Sequence, residues 1–175
     1  MARVRVQRED FDPGAEAESL ARGRTDVGAV VSFIGYCRDE GGSLAALELE
    51  HYPGMVEEEV ARATSEAEAR WPLLGATVIH RYGRITPGER IVLVAVAAAH
   101  RGAAFAAAEM LMDYLKTRAP FWKRAIRSDG VVEGWIEAKQ EDGRSAARWS
   151  AAAADGSLRR GRRPHGRPAT QPPRR

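Results

Sequence analysis

Polar and apolar side chains alternate from Arg3 to Arg8, the period of two expected of a strand with one buried face. Asp12 before Pro13 predicts a short helix over Pro13 to Arg22, with Asp12 as its N-cap and proline at its first position. From Val27 to Tyr36 both faces are apolar, which predicts a buried strand. Arg38 to Ser43 is polar and glycine-rich and reads as a loop, and Leu44 to Tyr52 reads as a second strand. Pro53-Gly54 then turns the chain into a helix from Met55 to Trp71, with Glu58/Arg62 and Glu66/Arg70 as supporting i,i+4 pairs.

In the second half, Ala76 to Tyr82 and Arg90 to Ala99 read as a hairpin around Thr86-Pro87-Gly88-Glu89. A helix is predicted from Arg101 to Arg118, with an apolar stripe of Phe105, Ala108, Met112 and Leu115. Pro120 stops it. Phe121 to Arg127 and Val131 to Ala138 read as strands joined across Ser128-Asp129-Gly130, and Arg144 to Trp149 as a last helical turn. Hairpins mixed with helices imply an α+β fold with a largely antiparallel sheet. No repeat is visible.

Composition sharpens the domain picture. Of 175 residues 31 are alanine, so the core is expected to rely on small side chains. The net charge of +3 is unevenly spread: residues 151–175 hold seven arginines and one acid, leaving the preceding body at −3. That basic segment is also rich in proline and has Leu158 as its one large aliphatic residue, too little apolar surface to offset the entropy of ordering. The expected organisation is one domain over 1–149 and a disordered Arg/Pro/Gly-rich tail over 150–175. The tail's charge suits electrostatic contact with nucleic acid, but a solvated terminus is the simpler reading, and nucleic acid is not the expected partner. The N-terminus lacks a signal-peptide apolar core and no run of 18 apolar residues occurs, so a cytoplasmic chain with no membrane partner is expected. A single cysteine, Cys37, excludes an internal disulfide and any multi-cysteine metal site; no metal or cofactor is expected.

No Gly-rich dinucleotide fingerprint, P-loop, HExxH or GxSxG occurs. Basic groups at element ends are the chemical signal instead. His100-Arg101-Gly102 lies where a strand hands over to a helix, and free N–H groups and the positive helix end favour an anion there. Arg101 merely solvating a helix start fits the spacing equally well. Lys116 ends that helix and Lys123 follows Pro120, beside Tyr114, Phe121 and Trp122. Two such ammonium groups, partly desolvated and close to like charge, suit a base or nucleophile near neutral pH; two surface lysines with buried stems are the plain alternative. Tyr36-Cys37-Arg38 ends the Val27 to Tyr36 strand, where Arg38 offers a further anion contact and Cys37 reads as a small buried side chain. His51 and His80 lie on strands that could be neighbours, and ordinary strand histidines account for both.

Four stretches taken together carry a resemblance: 28–35 (GAVVSFIG), 49–55 (LEHYPGM), 99–101 (AHR) and 113–124 (DYLKTRAPFWKR). They resemble the MoaE family, the large catalytic subunit of molybdopterin synthase, in order along nearly the whole body. The resemblance implies an α/β-hammerhead type fold and a central homodimer that binds two small ubiquitin-like sulfur carriers, giving a heterotetramer. Each carrier ends in a Gly-Gly thiocarboxylate. The implied activity is a sulfurtransferase reaction that converts cyclic pyranopterin monophosphate into the dithiolene of molybdopterin, in molybdenum cofactor biosynthesis. Carried over by motif, Lys116 and Lys123 are the catalytic lysines. Tyr36, Cys37, Arg38, His100, Arg101, Arg124 and Ala125 join them around the substrate, in a pocket that draws on both subunits. Tyr36, Cys37 and Ala125 depart from the residue types usual in the family. The rival reading is a non-catalytic anion-binding or regulatory module of the same fold with a basic partner-binding tail; the presence of both lysines argues against it. A thiol mechanism through Cys37 is not adopted.

Overall fold

The protein is described here by a computed structural model covering residues 2–39, 41–135 and 149. Along the chain run β1 (Ala2–Gln7), α1 (Pro13–Ala21), β2 (Ala29–Tyr36), β3 (Leu44–His51), α2 (Met55–Arg70) and β4 (Leu73–Arg81). There follow β5 (Gly83–Ile85), β6 (Arg90–Ala98), α3 (Arg101–Thr117), β7 (Phe121–Arg127) and β8 (Val132–Trp135). The class is α+β, as expected, but the strands form two sheets of order β1-β4-β6-β2 and β5-β3-β7-β8. Every pairing is antiparallel except β1 with β4.

Alternation along β6 explains the layering of the first sheet. Val92, Val94 and Val96 face α2 and α3, where they meet Val56, Val60, Ala63, Ala107 and Leu111. Leu93, Ala95 and Ala97 face the other way, against Phe11 and Leu20 beside α1. Each valine or leucine among them contributes about 1.5–3 kcal/mol on full burial, and each alanine methyl under about 1 kcal/mol. A third, smaller cluster of Cys37, Leu49 and Ile85 belongs to the second sheet, and Ile91 packs against both it and the first cluster.

The sequence expectations hold for the order and type of the described elements, with three corrections. The Ala76–Tyr82 and Arg90–Ala99 strands do pair, yet the chain between them is not a simple hairpin. Gly83, at φ 88°, turns the backbone out to form β5, which pairs with β3 in the second sheet before the Thr86–Glu89 turn brings it back. β2 is not buried on both faces: it pairs only with β6, so it forms the sheet's edge and leaves Phe33 and Tyr36 exposed. The buried stripe of α3 is Ala104, Ala107, Ala108, Leu111, Tyr114 and Leu115, and Phe105 points outward. Alanines bring this helix close to the sheet, and a phenylalanine on that line would hold it off. Finally, β8 is described only as far as Trp135. The remainder of the expected strand, residues 144–148 of the expected last turn, and the expected tail lie outside the described residues.

Trp149 closes the body. Its indole N–H donates to Asp113 at 2.8 Å, its carbonyl accepts from Arg70, and its ring meets Trp71 edge-on. Between α2 and α3, the Tyr114 hydroxyl bonds with Glu59 and Arg62. These ties fix α3 at its C-terminal end.

One glycine is required by packing. A Cβ on Gly35 would lie 2.6 Å from Cγ1 of Val92, a stiff side chain in the filled core. Gly35→Ala should therefore cost about 1–3 kcal/mol by overpacking, read as a lower denaturation midpoint with an unchanged denaturant slope.

Candidate active site

The two sheets and the end of α3 enclose a cleft of about 910 Å³. Phe33 to Tyr36 of β2 and the Cys37–Asp39 loop form one wall, and Met112, Leu115 and Lys116 of α3 another. Leu47 and Leu49 of β3 with Phe121 and Lys123 of β7 form the third, over a floor that includes His80 and Val92.

Strand geometry decides who faces this cleft. β3 and β7 are antiparallel with His51 opposite Phe121, Leu49 opposite Lys123 and Leu47 opposite Ala125. Directly opposed residues share a face, so one face of the sheet carries Leu47, Leu49, His51, Phe121, Lys123 and Ala125. The other carries Glu48, Glu50, Trp122 and Arg124. Lys116 comes from the last turn of α3, and Pro120 ends the helix so that β7 returns alongside it. Both lysines therefore border one cleft, as their spacing around Pro120 suggested.

Tyr36, Cys37 and Arg38 also line it. Their loop is fixed by the turn before β6: the Cys37 N–H donates to the Glu89 carbonyl at 2.8 Å, and the Gly88 N–H donates to the Cys37 carbonyl at 2.8 Å. Buried Arg81 underpins that turn. Its guanidinium donates to the carbonyls of Arg8 and Arg90 and lies 3.6 Å from Glu89. The Asp39 carboxylate accepts from the Leu44 N–H and closes the base of the loop. The Cys37 thiol points to the Ile85 carbonyl at 3.7 Å, and burial raises its pKa. A thiol kept protonated is a poor nucleophile, consistent with a packing role.

Four of the expected substrate residues do not reach this cleft from their own chain. Arg124 lies on the opposite face of β7, where Nε and Nη2 donate to Glu48 at 2.7 and 2.6 Å. Ala125 has the right face but is buried and does not line the cleft. His100 caps the far end of α3 in extended conformation, with Arg101 exposed in the first turn and no acid there to compete for an anion. Fifteen residues of helix separate Arg101 from Lys116, a rise of about 22 Å.

His80 is a cleft residue that the sequence reading set aside as an ordinary strand histidine. It stands in the apolar phase of β4 with Ala76 and Val78, a signal for a buried face that was present in the sequence. Its ring stacks on Phe121 with centroids 3.7 Å apart, and its Nδ1 lies 2.8 Å from the Arg81 carbonyl. A carbonyl can only accept, so Nδ1 bears the proton and Nε2 is left as an acceptor. Burial pulls the His80 pKa down to about 4; His51 and Lys123 push the same way, and the Arg81 carbonyl opposes them.

Comparison with known proteins gives a consistent result. The family model described as MoaE protein matches residues 6–118. A molybdopterin synthase catalytic subunit from Mesorhizobium japonicum is 64% identical over 146 residues, spanning 83% of this chain and 92% of that one. Among solved structures, the molybdopterin biosynthesis MoaE protein from Burkholderia ambifaria superposes with a TM-score of 0.73 at 45% identity, covering 86% of this chain and 99% of its own. The crystal structure of molybdopterin synthase from Staphylococcus aureus gives 0.66 at 30% identity, covering 74% and 95%.

The depressed pKa of His80 makes a stability prediction. Protonation is easier in the unfolded chain, whose histidine titrates near 6.5, so His80 costs stability as pH falls from about 6.5 towards 4. Between pH 7 and 5 the loss should be about 2 kcal/mol, measured by denaturant unfolding, and His80→Gln should remove most of it. Asp10, held down to about 2 by the Arg90 guanidinium, adds its own loss only below pH 4.

Proposed function

The chain belongs to the MoaE family and acts as the catalytic subunit of molybdopterin synthase, an enzyme of molybdopterin biosynthesis, and on that premise we propose that Lys116 and Lys123 carry its chemistry. The observation that supports this most is their convergence on a single cleft from different elements, beside the Arg38 loop. The reaction is a sulfur transfer. A small ubiquitin-like carrier inserts its C-terminal Gly-Gly thiocarboxylate along the channel bordered by Lys116 and Phe121. Lys116 holds the thiocarboxylate and the charge that develops on it. Lys123 moves the proton as sulfur attacks the pterin and the cyclic phosphate opens. Each carrier delivers one sulfur, so the dithiolene of molybdopterin takes two rounds, carried out in the cytoplasm.

The substrate, cyclic pyranopterin monophosphate, is an anion. Arg38 meets it within the cleft, near Tyr36 and Cys37. His100 and Arg101 lie about 22 Å away along α3, which supports a homodimer in which the partner copy presents its α3 N-terminus to this cleft. Arg124 and Ala125 support the site from β7: the first sets the strand's register through Glu48, the second seats it on the core. With one carrier per chain the assembly is a heterotetramer.

Mass spectrometry of the pterin, after mixing with thiocarboxylated carrier and cyclic pyranopterin monophosphate, tests the assignment. Lys116→Ala and Lys123→Ala should each lower dithiolene formation at least about a hundredfold while still binding the carrier. Near-normal turnover in either variant would sink its assigned role.

A further inference from the structure

We propose that His80 is a positioning residue for Lys123, its Nε2 accepting a hydrogen bond from the Lys123 ammonium when the cleft is occupied. The inference rests on the reading of Lys123 given above. Phe121 and Lys123 lie two residues apart on one face of β7, and the Phe121 ring is stacked directly on His80. That places the root of the lysine side chain about 7 Å along the strand from the ring that covers the imidazole. Both His80 and Lys123 line the cleft. Among the described residues no ion pair between a carboxylate and Lys123 is seen, and the charge of Lys123 is close enough to act on the His80 ring.

The tautomer is set from behind. The Arg81 carbonyl accepts the hydrogen bond from Nδ1–H, and Arg81 is itself anchored by the Arg8 and Arg90 carbonyls, so Nε2 carries the lone pair of a ring that lines the cleft on a rigid support. The charged groups that share the cleft with the ring are mainly cationic: Lys123 from β7, Lys116 from α3 and Arg38 from the loop after β2, with Asp39 bonded to its own loop. His51 of β3 stands beyond Phe121 with Glu57 of α2 at 3.9 Å from its Nε2. In that surrounding His80 stays neutral at working pH. A neutral acceptor orients an ammonium without pairing its charge away, whereas a carboxylate there would compete with the anionic thiocarboxylate and phosphate.

The test compares His80→Phe, His80→Gln and Lys123→Ala in steady-state sulfur transfer across pH 5.5–10 with the intact chain and carrier. Phenylalanine keeps the aromatic stack and removes the acceptor; glutamine returns an acceptor near the Nε2 position. His80→Phe is expected to lose about tenfold or more in kcat with KM changed less than about threefold. The alkaline limb of its pH profile should move down as the ammonium loses its acceptor. His80→Gln should recover most of kcat and the limb. Wild-type kcat and profile in folded His80→Phe overturn the inference alone when Lys123→Ala is inactive. A His80→Gln no better than His80→Phe also overturns it, since the loss then does not follow the acceptor. Full activity in Lys123→Ala overturns both this inference and the role given to Lys123.

Discussion

Helix α3 is the constraint on which the rest of the molecule depends. It packs on the first sheet through alanines, which bring its backbone close, and its C-terminal end is fixed by Tyr114 to α2 and by Asp113 to Trp149. A rod held this way cannot bend to bring its two ends together. The basic pair His100-Arg101 and Lys116 are therefore separated by the helix's own length. One copy of the chain carries a complete lysine cleft at one end and an open helix N-terminus at the other. That separation is what supports the proposed pairing of two copies.

The second determinant is the period of two in β7. Within four consecutive residues the strand sends Phe121 and Lys123 to the cleft and Trp122 and Arg124 to the far face, where Glu48 waits for the guanidinium. Pairing with β3 fixes that choice, because a slip of one residue would bury Arg124 in the cleft and expose Lys123. Support for the facing wall comes from a different source. Arg81 satisfies carbonyls beneath the turn that holds Cys37, and so sets the loop from which Arg38 projects.

Much of this was legible in the sequence. Proline and glycine punctuate the elements, and Asp12, Pro53 and Pro120 mark boundaries that the structure keeps within about two residues. The division into two sheets was not legible, since it depends on β5, and Gly83-Arg84-Ile85 is too short to show any periodicity. Nor could composition show that β2 is an edge strand, because an apolar edge and an apolar centre look alike locally. In the site, Lys116 and Lys123 stood out by motif and by their position around Pro120. Placing Arg124 away from the cleft required the strand register, which no local pattern supplies. His80 was present as a polar residue in the apolar phase of β4, and its role emerges only with Phe121 stacked on it from another sheet.

The most direct test of a site divided between two copies is complementation. A heterodimer of one Lys116→Ala chain and one Arg101→Ala chain, purified through distinct tags, contains one intact site when the cleft of one copy meets the helix end of the other. Its sulfur-transfer rate should be about half that of the wild-type dimer, although each variant homodimer is inactive. A heterodimer as inactive as its parents would contradict the shared site and return Arg101 to an ordinary exposed helix start.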